Sequence, residues 1–156
     1  MTLAPDTEPD GYDVLLVEDD PDDGELTLRA LRKAGVTRVR WARDGEEALA
    51  ALSEIAPLPG AGLGETGPLA PHARPGLVLL DLQLPRRSGV EVLHALQGAG
   101  RLTTLPVVVF TSSQLAEDRL RCLALGAREV ITKPVDSDAF AAVVHGLVRR
   151  WLEPAR

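Results

Sequence analysis

Covalent staples are almost absent from this chain. A single cysteine, Cys122, stands among 156 residues, which excludes an internal disulfide and a cysteine-rich metal site and fits a reducing cytoplasm. No run approaches the roughly 18 apolar residues of a membrane span. Met1 to Asp10 lacks a basic stretch followed by an apolar one, so no signal peptide is expected, and polar residues 1–11 read as a flexible arm. An excess of positive charge is lacking too. The net charge is -6, and all ten charged residues from Asp6 to Glu25 are acidic. Non-specific binding to nucleic acid needs a basic face, so no nucleic-acid partner and no membrane partner are expected. The remainder, 45% hydrophobic and 26% charged, suits one ordinary domain with a real core.

The apolar residues fall into short runs that end in polar ones. Asp13 to Val17 leads into Glu18-Asp19-Asp20, and Leu77 to Leu80 leads into Asp81. Pro106 to Phe110 leads into Thr111, and Ala127 to Thr132 into Lys133-Pro134. Unbroken apolar runs of this length suit strands buried on both faces, as in a parallel sheet. Val36 to Ala42 alternates around Val39 and Trp41 as a further strand. Helical signals lie between the runs. Asp20 with Pro21 opens the first helix, which Gly35 stops, and Asp44 with Glu47 forms a capping box for a helix reaching Leu52 and Ile55. Ser88-Gly89 opens a third helix that ends near Gly98, and Ser112-Ser113 caps a fourth that stops at Gly126. Asp136 caps a fifth, with Val135 and Phe140 spaced as a hydrophobic staple. Five strands alternating with five helices predict an α/β fold, a flavodoxin-like doubly wound parallel sheet of order 2-1-3-4-5. Residues 57–75, rich in Gly, Pro and Ala, read as a flexible insertion within one domain over 12–152, and 153–156 as a tail.

Four strand ends thereby converge on one sheet edge, where open α/β sheets place their ligands. They bring Glu18, Asp19, Asp81, Thr111 and Lys133. A strand-end Asp, Thr or Lys by itself is usually a turn, cap or solvated residue. Together they suit phosphoryl transfer onto a carboxylate. Mg²⁺ takes oxygen ligands and few carboxylates, so Asp19 and Asp81 are expected to bind it directly, with the Gln83 backbone carbonyl, and Glu18 through a coordinated water. One Asp81 oxygen is then left as nucleophile, and the metal, Lys133, Thr111 and backbone N–H groups near Gln83 and Ser112 neutralise the phosphoryl oxygens. A cis peptide at Lys133-Pro134 would aim the lysine inward.

The motifs Leu15-Leu16-Val17-Glu18-Asp19-Asp20, Leu79-Leu80-Asp81-Leu82-Gln83-Leu84-Pro85, Ser88-Gly89, Val109-Phe110-Thr111-Ser112-Ser113 and Thr132-Lys133-Pro134 resemble the receiver domain of two-component response regulators. The resemblance covers roughly Tyr12 to Leu152. It implies that Asp81 accepts a phosphoryl group from a kinase's phosphohistidine, that Glu18 and Asp19 form the metal-binding pair, that Thr111 senses the phosphoryl group, and that Lys133 contacts it. It further implies a cytoplasmic, stand-alone signalling protein rather than an enzyme with a separate substrate, and a homodimer through the fourth helix, fifth strand and fifth helix. The long insertion and the Trp151-Leu152-Glu153 ending are similar to the small regulators that partner bacterial phytochromes. One position departs from the pattern: Val130 stands where receivers usually place a switching Tyr or Phe. Signalling through Thr111 and backbone movement stays open without that ring; the alternative is an output less dependent on it, such as handing the phosphoryl group to another protein.

Other functions fit less well. A phosphatase of the haloacid dehalogenase type needs a general acid two residues after its nucleophile, and Gln83 cannot protonate a leaving group. A flavin or nucleotide site would meet an acidic loop after the first strand. A pseudo-receiver, a binding module that is never phosphorylated, is the remaining alternative. His72, His94 and His145 show no metal spacing, and Cys122 reads as a packing residue. Leu147, Val148, Trp151 and Leu152 put apolar residues on more than one face of the last helix, which suggests a subunit contact. Gln83 and Ser113 flank the expected path of hydrolytic water.

Overall fold

The computed structural model describes residues 12–53 and 75–152. In chain order the elements are β1 Val14–Val17, α1 Pro21–Lys33, β2 Val39–Ala42, α2 Gly45–Ser53, β3 Leu77–Leu80, α3 Gly89–Gly98, β4 Val107–Thr111, α4 Ala116–Leu125, β5 Glu129–Thr132 and α5 Ser137–Trp151. The five strands form one sheet in the order β2-β1-β3-β4-β5, and every pairing is parallel. This is the doubly wound sheet that the sequence predicts. The expected arm, the tail, Ile55, and the insertion apart from Pro75 lie outside the described residues.

Alternation along each strand divides the core. Leu15, Val17, Val78, Leu80, Val107 and Val109 face Ala48, Leu52, Val92, Leu93, Leu96 and Cys122 from α2, α3 and α4. Their neighbours Val14, Leu16, Leu77, Leu79, Val108 and Phe110 face Leu31, Phe140, Val144, Leu147 and Val148 from α1 and α5. A strand of period two that is apolar throughout needs both layers. Phe110 meets Phe140 edge-on, with ring centroids 5.0 Å apart. Leu147 and Val148 are therefore spent inside the molecule, which corrects the expectation that they form a subunit contact. Apolar residues occupy more than one face of α5 because it packs on both the sheet and α1. Among the described residues the exposed large apolar side chains are instead Leu115, Leu120, Leu123 and Val135.

Several helix starts behave as read. The Asp20 side chain accepts the Asp22 N–H and Pro21 takes the first position of α1, while Ser88 and Asp136 cap α3 and α5. Three local readings differ. Val135 is fully exposed, so it makes no staple with buried Phe140. Leu115 holds the N-cap position of α4, and Ser113 acts one step earlier: its Oγ accepts the Leu115 N–H and donates to Asp118. Glu47 accepts from the Arg43 N–H, one residue before the Asp44 cap.

A cross-link at the far edge of the sheet ties the last strand to the last helix. Glu129 accepts two hydrogen bonds from Arg150 and a third from the Trp151 indole, each at 2.9 Å. The Arg150 fork holds the Glu129 carboxyl below its usual range, with burial opposing and the indole N–H assisting. A carboxylate with a depressed folded pKa adds stability above its unfolded value, and that stability is lost as pH falls through the folded one. Arg150 is half exposed and water screens the pair, so Glu129→Gln is expected to lower stability by only about 1 kcal/mol at neutral pH. The gap to wild type should close as pH falls below 4.5; urea midpoints across that range would expose a gap that does not.

Candidate functional site

The register of the sheet brings the chemistry together. Val17 pairs with Leu80, so the residues that follow, Glu18 and Asp81, leave neighbouring strands side by side. Thr111 pairs with Thr132, and the Lys133 N–H continues that ladder by donating to the Thr111 carbonyl at 2.7 Å. Lys133 needs no unusual peptide geometry to turn inward: no cis peptide occurs among the described residues. Carboxylates draw it in instead. Its Nζ donates to Glu18 Oε1 at 2.6 Å, to Asp23 Oδ2 at 2.9 Å and to Asp81 Oδ2 at 3.2 Å.

This cluster is largely withdrawn from water. Glu18, Asp81, Thr111 and Lys133 are all buried, while Asp19 sits exposed at the rim. Burial pushes the Glu18 carboxyl up to about 7, with the Asp81 charge adding and Lys133 opposing. Burial alone would lower the Lys133 ammonium, but its contacts with Glu18, Asp81 and Asp23 together raise it. The lysine is a fixed cation. Both Glu18 oxygens are engaged, Oε1 by Lys133 and Oε2 by the Asp20 N–H at 3.1 Å.

One oxygen from each of Glu18, Asp19 and Asp81 lies within 4.8 Å of the others. An all-oxygen donor set of this kind suits a hard divalent cation such as Mg²⁺ or Mn²⁺. Gln83 is exposed, and its backbone N–H points to Asp81 Oδ1 at 3.4 Å.

Thr111 heads a second network. Its Oγ1 accepts the Ser113 N–H at 3.2 Å, Thr132 donates to the Ser113 carbonyl at 3.4 Å, and Ser113 bonds Asp118 of α4 at 2.7 Å. Arg119, also from α4, donates to the Val130 carbonyl at 2.8 Å. A cleft of about 180 Å³ lies between these residues, lined by Thr111, Ser113, Leu115, Arg119, Val130 and Thr132. Val130 is buried within the core and places no ring in it. His94 and His145 are exposed on separate helices, and His72 lies outside the described residues.

Sequence reasoning missed Asp23. Its place in the first turn of a helix offered a sufficient explanation, although an aspartate one turn into the helix after an acidic strand end can point back over the sheet edge.

Residues 64–145 match the family model described as response regulator receiver domain. A probable methanogenesis regulatory protein, FilR2 of Methanothrix harundinacea, is 34% identical over 92% of this chain and 85% of its own. The chain belongs to the response regulator receiver family. Response regulator Rcp1 of Synechocystis is 33% identical over 90% of this chain and 88% of its own. The crystal structure of its Mn²⁺-bound form superposes with a TM-score of 0.74 at 32% identity, covering 93% of this chain and 97% of that one. The phosphorylated cyanobacterial phytochrome response regulator RcpA gives 0.75 at 32% identity, with coverage of 94% and 97%. Receiver-family relatives of other kinds are longer, and the chain spans about half the length of two curated transcriptional and response regulators.

Beside Asp81, Gly89 of the Ser88-Gly89 motif has a steric purpose. Its N–H donates to the Leu82 carbonyl at 2.9 Å. A Cβ there would lie 2.3 Å from the Asp81 carbonyl oxygen and 2.7 Å from Leu82 Cα. All of these neighbours are backbone atoms of Asp81 and Leu82, so no flexible group is there to yield. Gly89→Ala is expected to destabilise the protein by about 2 kcal/mol, and an unchanged urea midpoint would show that α3 can draw away from Asp81 at no cost.

Proposed function

We propose that the chain accepts a phosphoryl group on Asp81 from the phosphohistidine of a sensor histidine kinase, in Mg²⁺-dependent phosphorelay signalling. The observation that carries this reading is the gathering of Glu18, Asp19 and Asp81 oxygens within 4.8 Å, with the Lys133 ammonium on Asp81 at 3.2 Å. Asp19 and Asp81 would hold Mg²⁺ directly, the Gln83 backbone carbonyl would complete the protein's share, and Glu18 would act through water. When bound, the ion supplies charge neutralisation that lets an anionic nucleophile approach an anionic phosphoryl group.

An Asp81 oxygen forms the new P–O bond as the P–N bond to the imidazole breaks, and the bonding pair stays on the ring nitrogen. Lys133, the Thr111 hydroxyl and the N–H groups near Gln83 and Ser112 receive the transferred oxygens. Water later cleaves the acyl phosphate, returning Asp81 and releasing phosphate, with Gln83 and Ser113 flanking its approach. Thr111 is the group through which the phosphoryl state reaches Ser113 and α4.

Similarity to RcpA and Rcp1 supports a bacteriophytochrome as the kinase and a cytoplasmic address. No helix among the described residues is long and apolar enough to cross a membrane. With Val130 in place of a ring, transfer of the phosphoryl group to a further protein is the output favoured here. Exposed Leu120 and Leu123 on α4, with Val135 beyond β5, support a homodimer through α4, β5 and α5.

Intact mass after incubation with acetyl phosphate tests the phosphoacceptor. One added phosphoryl group that requires both Mg²⁺ and Asp81, and is absent from Asp81→Asn, is the expected result. Folded protein that binds Mg²⁺ yet takes no label from acetyl phosphate or from a cognate phosphorylated kinase would instead be a pseudo-receiver. Sedimentation velocity at tens of micromolar should give a dimer, and Leu120→Glu with Leu123→Glu should give a monomer. A wild-type monomer at that concentration overturns the assembly.

A further inference from the structure

Lys133 has three N–H donors and all three point at carboxylates. Two of those partners, Glu18 and Asp81, belong to the oxygen cluster suited to a divalent cation. The lysine and the cation therefore compete for the same negative charge. Asp23 differs from the other two. It stands on α1, is only half-buried, and is outside that oxygen cluster. Its carboxylate meets the lysine from a third side at 2.9 Å, closer than Asp81 does.

The backbone beneath Asp23 is held firmly. The Asp23 carbonyl accepts Thr27 Oγ1 at 2.8 Å, and the Gly24 N–H donates to the Asp20 carbonyl at 2.9 Å. Gly24 lies flush against the Trp41 indole, where an added Cβ would come within 1.9 Å of a ring carbon. The same indole donates to the Glu18 carbonyl at 2.8 Å, and the Arg43 guanidinium covers its ring at 3.7 Å. Trp41 thus fastens the strand end that carries Glu18 and the helix start that carries Asp23 as one piece. The distance from Asp23 to Lys133 is set by this packing and not by a wandering loop.

We infer that Asp23 is a positioning residue that draws the Lys133 ammonium toward α1 and so leaves Glu18 and Asp81 available to a divalent cation. It touches neither the cation nor the phosphoryl group and acts through the lysine. Without Asp23, one lysine donor is released, the ammonium settles more closely on Glu18 and Asp81, and the cation must displace it. This inference rests on the proposed Mg²⁺ site at Glu18, Asp19 and Asp81.

Isothermal titration of unphosphorylated protein with Mg²⁺ tests it, in a double-mutant cycle of Asp23→Asn and Lys133→Ala. Asp23→Asn is expected to weaken Mg²⁺ binding about tenfold, the scale of one lost charge-assisted hydrogen bond after solvent screening. In the Lys133→Ala background the same substitution should change affinity less than about twofold, because its route of action is gone. An equal loss in both backgrounds would mean that Asp23 contributes only its through-space charge, and would overturn the inference. No change in the wild-type background would overturn it as well. Labelling by acetyl phosphate supplies the second readout. Asp23→Asn should raise the Mg²⁺ needed for half-maximal rate about tenfold while moving the rate at saturating Mg²⁺ less than about threefold. The underlying site is judged separately: wild type and Asp19→Asn binding Mg²⁺ equally would remove the Mg²⁺ site and the inference with it. A defect confined to Asp23→Asn at saturating Mg²⁺ would count against the inference alone.

Discussion

Three carboxylates, those of Glu18, Asp23 and Asp81, close on a single ammonium at the end of an apolar sheet, with Asp19 exposed beside them at the rim. Such a cluster is unfavourable to build, because each buried charge gives up its hydration and the acids repel one another. Lys133 compensates part of that cost, and burial still pushes the Glu18 carboxyl up to about 7. The hydrophobic layers on either side must supply the rest. The residues of β1, β3 and β4 are buried to near zero exposure, which gives the middle of the sheet the rigidity to hold like charges together. The resting site remains too negative for its single lysine. That imbalance is the physical reason for it to attract a divalent cation and then a group with oxygens of its own.

The second network, Thr111 with Ser113 and Asp118, starts at the same edge and leads away from it. Between them Thr111 and Lys133 join the two networks through one backbone hydrogen bond, the Lys133 N–H on the Thr111 carbonyl. Any displacement of Thr111 is therefore felt by β5 and by the start of α4. Helix α4 is well suited to respond. Among its residues only Cys122 is fully buried, so it is attached to the core by less apolar surface than its neighbours and needs less energy to shift.

Much of this was legible in the sequence. Parallel strands buried on both faces read as unbroken apolar runs, so their carboxyl ends, and the side chains standing there, could be placed before any coordinates. The caps at Asp20, Ser88 and Asp136 are local events and were equally readable. Misread features depend on tertiary packing. Val135 has the spacing of a staple but meets solvent, while Phe140 packs into the core against Phe110. Leu147 and Val148 look surplus on a helical projection until α1 is laid beside α5. Asp23 illustrates the opposite error. A helix-start acid already has a local explanation, and only the meeting of α1 with the end of β5 reveals its contact with Lys133.

Cys122 gives the molecule a property independent of phosphoryl chemistry. Its thiol has no exposed surface, and burial, assisted by the Asp118 charge and opposed by Arg121, pushes its pKa up. A protonated, inaccessible sulfur is inert toward oxidants and alkylating reagents while the helix is seated. Its reaction with a thiol reagent must therefore wait for α4 to lift. In a chain with one cysteine, the labelling rate becomes a clock for that excursion, readable from a single mass shift, and it times the opening of the helix that connects to Thr111.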